Sequence, residues 1–364
     1  MPSLFTSANF GSLVLRNRLV RSATGESAAE PESGCPTPAM ADFYRRLAAG
    51  GAGLVITGHT AVSPEGRCHA RMTAFTSAAF IPAFRGLVQA CHDGGAAVVC
   101  QLNHGGRQVN PSQAGIRALG PSLEVFPEAK ARPQQELTDQ DIERLVAAFA
   151  RAAAWCREAG FDGVQIHSAH GYLASQFNSP LTNRRTDRWG GTPEKRRAFL
   201  LAVYQNLRLA VGPDYPILVK QNVGDFHPGG LDLEAAVALC RSLDQAGIAA
   251  IELSGGIAET IPVAFHAAEM KAGAELVFFE AECRRLRAAV RCPLILTGGI
   301  RSRATAERLL AEGVCDAIGL CRPLIREPDL PLRWQSGAAT RARCTSCGAC
   351  HATPECCNLC AYAD

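Results

Sequence analysis

Gly163-Val164-Gln165-Ile166-His167-Ser168-Ala169-His170-Gly171-Tyr172 begins as a short apolar run and ends in two imidazoles and a phenol. A run of this length that stops at polar residues reads as a buried strand whose exit carries chemistry. Three proton-bearing side chains at one exit can bind a carbonyl oxygen and protonate a carbon beside it. The same residues also suit a hydrogen-bonded pair of core histidines or an HxxH metal site. Each such group buried without a partner costs roughly 1–3 kcal/mol, so partners are required nearby in any of these readings.

Working outward, eight apolar runs of this kind occupy 19–22, 54–57, 98–102, 163–167, 217–221, 250–254, 294–297 and 317–320. Between them lie stretches of helical period at 38–49, 80–93, 139–159, 193–211, 233–246, 275–290 and 302–312. Thr138 or Asp139 starts one and Gly160 stops it; Asp232 and Gly247 bracket another. Alternating strands and helices make an α/β chain with a parallel sheet. Eight repeats favour a (β/α)8 TIM barrel over an open doubly wound sheet, and no GxGxxG follows the first strand. The reading is a barrel over 1–335 with a short Cys-rich C-terminal extension over 336–364. Two long loops, 104–137 and 175–191, leave the barrel at its catalytic face and read as walls or lids.

Composition narrows the classes. The 37 Lys+Arg against 34 Asp+Glu contain no basic run that would mark a nucleic-acid face. No window approaches the apolar length of a membrane span, and 1–18 lacks the basic-then-apolar order of a signal peptide. The expectation is a soluble, cytoplasmic protein without nucleic-acid or membrane partners, compatible with a homo-oligomer. Its 16 cysteines are expected to be reduced thiols in a chain long enough to build a core.

Strand exits are where barrel chemistry sits. Gly298-Gly299 follows the seventh strand and Cys321-Arg322 the eighth, the usual place for a phosphate pocket with Arg322 as counter-charge. A bare Gly-Gly turn is the simpler alternative. A cofactor anchored there would extend its ring toward Gln101, Lys220 and the histidines. Gln101 both donates and accepts, which suits a flavin pyrimidine edge, and Lys220 would sit near N1 and O2. Gln101 as a strand-end hydrogen bonder, and Lys220 as a solvated or Schiff-base lysine, are the competing roles.

The motifs Asn17-Arg18-Leu19-Val20-Arg21-Ser22-Ala23-Thr24, Pro64-Glu65-Gly66-Arg67 and Gln101-Leu102-Asn103-His104-Gly105-Gly106-Arg107 stand in order along the chain. They are followed by His167 to Leu173, by Ser179-Pro180-Leu181-Thr182-Asn183-Arg184-Arg185-Thr186-Asp187, and by the two phosphate loops. On these segments, over roughly residues 4–334, the chain resembles the Old Yellow Enzyme family of FMN-dependent ene-reductases. The resemblance implies FMN at Ala23, Thr24, Gly58, His59, Gln101, Lys220, Gly298, Gly299, Cys321 and Arg322. It implies a carbonyl-binding pair in His167 and His170, and a proton donor in Tyr172. It implies a ping-pong cycle in which NADPH or NADH reduces FMN and an enone-type small molecule then takes the hydride. Three positions depart from the family pattern: Gly25 stands where some branches carry Cys or Thr, Lys220 where several carry Arg, and Cys321 where many carry Gly.

Six cysteines crowd into 344–360: Cys344, Cys347, Cys350, Cys356, Cys357 and Cys360. Pairs two residues apart are a metal-type signature that suits a [4Fe-4S] cluster or a four-thiolate zinc site, with metal-free thiols as the third option. Multidomain relatives such as 2-enoate and 2,4-dienoyl-CoA reductases, by the resemblance, carry a [4Fe-4S] site after the barrel. Their spacing differs, with three residues where this chain has two between the second and third ligands. An amine dehydrogenase, or a flavin and metal redox sensor, are the alternative functions on the same barrel.

Overall fold

A computed structural model describes residues 3–110, 116–260, 275–347 and 350. A hairpin of β1 (Ala8–Phe10) and β2 (Leu13–Leu15) precedes a closed barrel. The barrel strands are β3 (Leu19–Arg21), β4 (Leu54–Ile56), β6 (Ala97–Asn103), β9 (Gly163–Ser168), β10 (Ile217–Asn222), β11 (Ala250–Ser254), β12 (Leu294–Thr297) and β13 (Ala317–Leu320). Each pairs in parallel with the next in sequence, and β13 pairs with β3 to close the ring. The short β5 (Thr60–Ala61) pairs in parallel with the end of β6, while β7 (Leu119–Gly120) and β8 (Gln135–Glu136) pair within the loop after β6. The α/β TIM barrel expected from the sequence is the observed fold.

The outer helices are α1 (Pro38–Ala49), α2 (Ile81–Asp93), α3 (Asp139–Ala159), α6 (Ala198–Val211), α7 (Leu233–Gln245), α8 (Glu280–Arg287) and α9 (Arg303–Ala311). Short turns of helix, α4 (Leu173–Asn178), α5 (Pro193–Arg196), α10 (Arg322–Arg326) and α11 (Leu330–Ser336), complete them. The start of α3 shows why the ends are sharp. Thr138 Oγ1 accepts from Asp141 N–H at 3.1 Å and the Asp141 carboxylate accepts from Thr138 N–H at 3.1 Å. This capping box satisfies two otherwise orphaned donors.

Period-two alternation builds the barrel in layers. Outward residues such as Val164, Ile166, Ile217, Val219, Ile251, Leu253, Leu294 and Leu296 pack under the helices. Inward residues change character along each strand. At the bottom Val20, Leu54, Ile56, Val99, Leu218, Ala250, Ile295 and Ala317 form an apolar plug with Phe10, Leu13 and Leu15 of the hairpin. Two residues further up, the same strands present Ser22, Gln101, Lys220, Glu252 and Thr297. Stability lives in the lower layer and polar chemistry in the upper one.

One expected helix, 275–290, is shorter than its pattern suggests. Glu275 accepts from the backbone N–H groups of Arg301 (2.7 Å) and Ser302 (2.9 Å), and Phe278 N–H donates to the Gly298 carbonyl at 3.2 Å. These bonds to the loop after β12 hold 275–279 out of the helix. The expected helix 193–211 divides at Arg197 into α5 and α6.

Candidate active site

A cavity of about 290 Å3 opens at the carboxyl ends of the strands. Its lining includes Ala23, Lys220, Gly298, Gly299, Cys321, Arg322, His170 and Tyr172, all expected at the site. It also includes Ser22, Ser254, Phe278, Phe279 and Arg301, which were not.

The β9 exit makes a tight turn in which His170 has φ 61° and Gly171 φ 73°. His170 tolerates this left-handed conformation because its backbone and ring are tied down. Its N–H donates to Asn222 Oδ1 at 3.1 Å, its carbonyl accepts from Gln108 Nε2 at 2.8 Å, and its Nε2 lies 2.6 Å from Ser254 Oγ. His167 Nδ1 accepts from Ala169 N–H at 3.3 Å, so Nε2 carries the ring proton. The two imidazole centroids are 5.1 Å apart, and that of His167 is 4.9 Å from Tyr172.

Burial, reinforced by the other histidines and Lys220, holds His167 well below the usual imidazole range. Burial and the Lys220 charge lower His170 to about 3. Each ring is therefore neutral and can offer one N–H to an oxygen. Burial, with Cys68 nearby, pushes the Tyr172 phenol up, so it keeps its proton until a strongly basic carbon appears. His59 joins the cluster with its ring centroid 5.1 Å from Tyr172, and its Nδ1 is 3.0 Å from Asn103 Nδ2.

At the other end of the cavity, Gly298 and Gly299 have φ 118° and 81°, and a Cβ on Gly299 would lie 1.6 Å from the Leu276 carbonyl oxygen. Only glycine allows that approach. Arg301 lines this end; its guanidinium bonds Ser346 Oγ and the Cys344 thiol, and its buried Nε and Nη1 have no oxygen or nitrogen acceptor among the described residues. Thr24 Oγ1 lies 2.9 Å from Cys321 Sγ at the same end. An anionic group would satisfy these nitrogens together with Arg322.

Below the cavity, Lys220 Nζ is 2.9 Å from Glu252 Oε1 and 2.8 Å from Ser22 Oγ. Gln101 Nε2 donates to Gln165 Oε1 at 2.7 Å. Lys220 is thus neither solvated nor alone. At Gly58, one of the positions the resemblance gave to FMN, the backbone N–H donates to Glu26 Oε1 at 2.6 Å and to Tyr44 Oη at 2.9 Å.

In the extension, Cys344, Cys347 and Cys350 form no disulfide among the described residues. Among the described residues no three His, Cys, Asp or Glu side chains come together as metal ligands. Cys356, Cys357 and Cys360 lie outside the described residues. No described helix is long and apolar enough to cross a membrane.

The carboxyl ends of the strands thus carry a glycine- and arginine-lined end, a polar floor and a cluster of neutral donors. Residues 3–341 match the NADH:flavin oxidoreductase / NADH oxidase family, and the chain belongs to it. It is 34% identical over 349 residues to the NADH oxidase of Thermoanaerobacter brockii, covering 95% of this chain and 53% of that protein. This chain therefore spans about half the length of that relative. It is 32% identical over 328 residues to an NADPH dehydrogenase of Geobacillus sp. (strain WCH70), covering 90% of this chain and 92% of the other. The Old Yellow Enzyme homologue from Zymomonas mobilis superposes with TM-score 0.79 at 28% identity, covering 95% of this chain and 96% of that one. The family's cofactor is FMN and its reductant NADH or NADPH. The glycine cradle at Gly299, the Arg322 and Arg301 guanidiniums beside it and the Ser22/Lys220 floor fit that cofactor.

Proposed function

We propose that the protein reduces the activated C=C bond of α,β-unsaturated carbonyl compounds with electrons from NADH or NADPH. The observation that carries this reading is the cluster of His167 with His170 and Tyr172, the last two of which line the cavity. Gly298, Gly299, Arg301, Arg322 and Cys321 would hold the FMN phosphate, and Ala23, Thr24, Gln101, Lys220 and His59 would surround its ring. Bound FMN, once reduced, supplies the hydride for the β-carbon.

The remaining work falls to the protein. His167 and His170 each donate one N–H to the substrate oxygen as negative charge builds there, the role of an oxyanion site. Neutral rings suit it, because they keep their protons and polarise the oxygen without transferring one. Tyr172 then delivers its phenolic proton to the α-carbon. An amine substrate would find donors where it needs acceptors, which disfavours amine oxidation.

The extension is read as a [4Fe-4S] site, in preference to zinc, on the spacing of Cys344, Cys347 and Cys350 with the later three cysteines. Iron and acid-labile sulfide in anaerobically purified protein test this, and zinc without sulfide would reject it. For the barrel, the test is a visible spectrum taken before and after NADPH and then cyclohexenone. Flavin bands that bleach and return support the reading; bands that bleach and stay bleached with the enone reject it.

A further inference from the structure

Glu252 is a fully buried carboxylate that no step of this chemistry uses. It points into the barrel from the middle of β11 and gathers the polar floor around itself. Oε1 accepts from Lys220 Nζ at 2.9 Å, from Thr297 Oγ1 at 2.9 Å and from the Ser22 hydroxyl. Oε2 accepts from Gln165 Nε2 at 2.8 Å, and Gln165 in turn accepts from Gln101. The two side chains assigned to the flavin pyrimidine edge, Gln101 and Lys220, therefore end on the same carboxylate. Burial alone would raise the Glu252 acid, but the Lys220 charge and the bonds from Ser22, Lys220 and Gln165 outweigh it and keep it ionised.

The electrostatic consequence is specific. A lone ammonium under the N1–C2=O edge would stabilise negative charge there strongly in a dry site. With an anion 2.9 Å behind it, the cavity sees a dipole, whose field falls off faster than that of a charge. The chain of amides also turns the Gln101 nitrogen toward Gln165.

We propose that Glu252 is a positioning residue that sets the electron affinity of the flavin by neutralising Lys220 and orienting Gln101. This rests on the reading that Lys220 faces the N1–C2=O edge of bound FMN. The test uses the FMN-loaded protein and two readouts other than turnover, the flavin midpoint potential and the dissociation constant for sulfite. Sulfite gives its sulfur lone pair to N5, and the displaced electron pair comes to rest at N1–C2=O. Its affinity therefore reads the charge at that edge.

Glu252→Gln is expected to bind sulfite at least about tenfold tighter and to shift the potential to less negative values, while Lys220→Met binds sulfite at least about tenfold weaker. Unchanged sulfite affinity in Lys220→Met would overturn the placement of Lys220, and the inference with it. Weaker binding in Lys220→Met with no change in Glu252→Gln would overturn the inference alone. Should Glu252→Gln fail to fold or hold FMN, the double variant decides. Sulfite affinity restored toward the parent supports neutralisation, and affinity as weak as in Lys220→Met rejects it.

Discussion

His170 Nε2 lies 2.6 Å from Ser254 Oγ, a bond that ties the turn after β9 to the end of β11. On the proposed function, it leaves Nδ1 as the ring nitrogen that would meet substrate, and it fixes the direction in which that nitrogen points. Ser254→Ala should release the ring without removing it. Misplaced catalytic groups lose of the order of tenfold to a hundredfold, so kcat/KM for cyclohexenone should fall by about tenfold with FMN content unchanged. Unaltered kinetics would mean that the backbone alone orients His170.

His167→Ala and His170→Ala each remove one N–H donor, and a lost oxyanion donor typically costs roughly 10²–10³ in rate. Enone turnover should fall by that order in each, while NADPH still reduces the flavin. Stopped-flow rates for the two half-reactions check it.

Acid should weaken the fold through its buried imidazoles. Burial lowers His59, with help from His69, and His170, with help from Lys220, to about 3, and lowers His104 to about 4. Unfolded histidine titrates near 6.5. The stability from keeping these rings neutral is complete above about 6.5 and is lost as pH falls toward the folded values. Glu26 works the other way, because burial raises it to about 7 and its contribution disappears as pH rises through that value. His69 and His167 are lowered by burial as well, and Asp225 is raised by burial as Glu26 is, so among the described residues five lowered imidazoles stand against two raised carboxyls and the net slope is positive between pH 5 and 6.5. Urea midpoints at pH 5.0 and 6.5 check this, and equal midpoints would contradict it.

Arg107 and Glu259 pair across 2.9 Å with side chains 1% and 7% exposed, and Glu259 also accepts from Lys130 N–H at 2.8 Å. The pair pins the loop after β6 to the one after β11. Arg107→Ala strands a buried carboxylate, a loss of roughly 3–5 kcal/mol. The expected signs are a lower urea midpoint and faster proteolysis within 116–137.

Thr138→Ala removes half of the capping box of α3. A cost of about 1 kcal/mol is expected, read as a shift in the urea midpoint at constant slope.

Much of this architecture is legible in the residues. Strands β11, β12 and β13 begin and end where the apolar runs do, because both barrel faces are buried and the polar punctuation is sharp. The site residues at strand exits follow from the same rule. Helix α8 is harder: Leu276, Val277, Phe278 and Phe279 continue its apolar period, and only the tertiary bonds of Glu275 to Arg301 and Ser302 show why the chain stays extended. Glu252 carried a signal, a charge between Ile251 and Leu253 in an otherwise apolar strand, but its partners come from three other strands and from Ser22 at the exit of β3. Arg301 follows Gly298-Gly299 closely in sequence, yet its place beside Arg322 at the cavity appears only in three dimensions. The Gly58 amide was claimed by Glu26 from 32 residues away, which no local pattern reveals.

The β1–β2 hairpin corks the barrel with Phe10, Leu13 and Leu15. A vessel sealed at the base has a single doorway. On the function proposed above, a nicotinamide donor and an enone would reach the same floor only from the strand-exit side and would have to take turns there. Alternation would then be a matter of plumbing before it is one of kinetics.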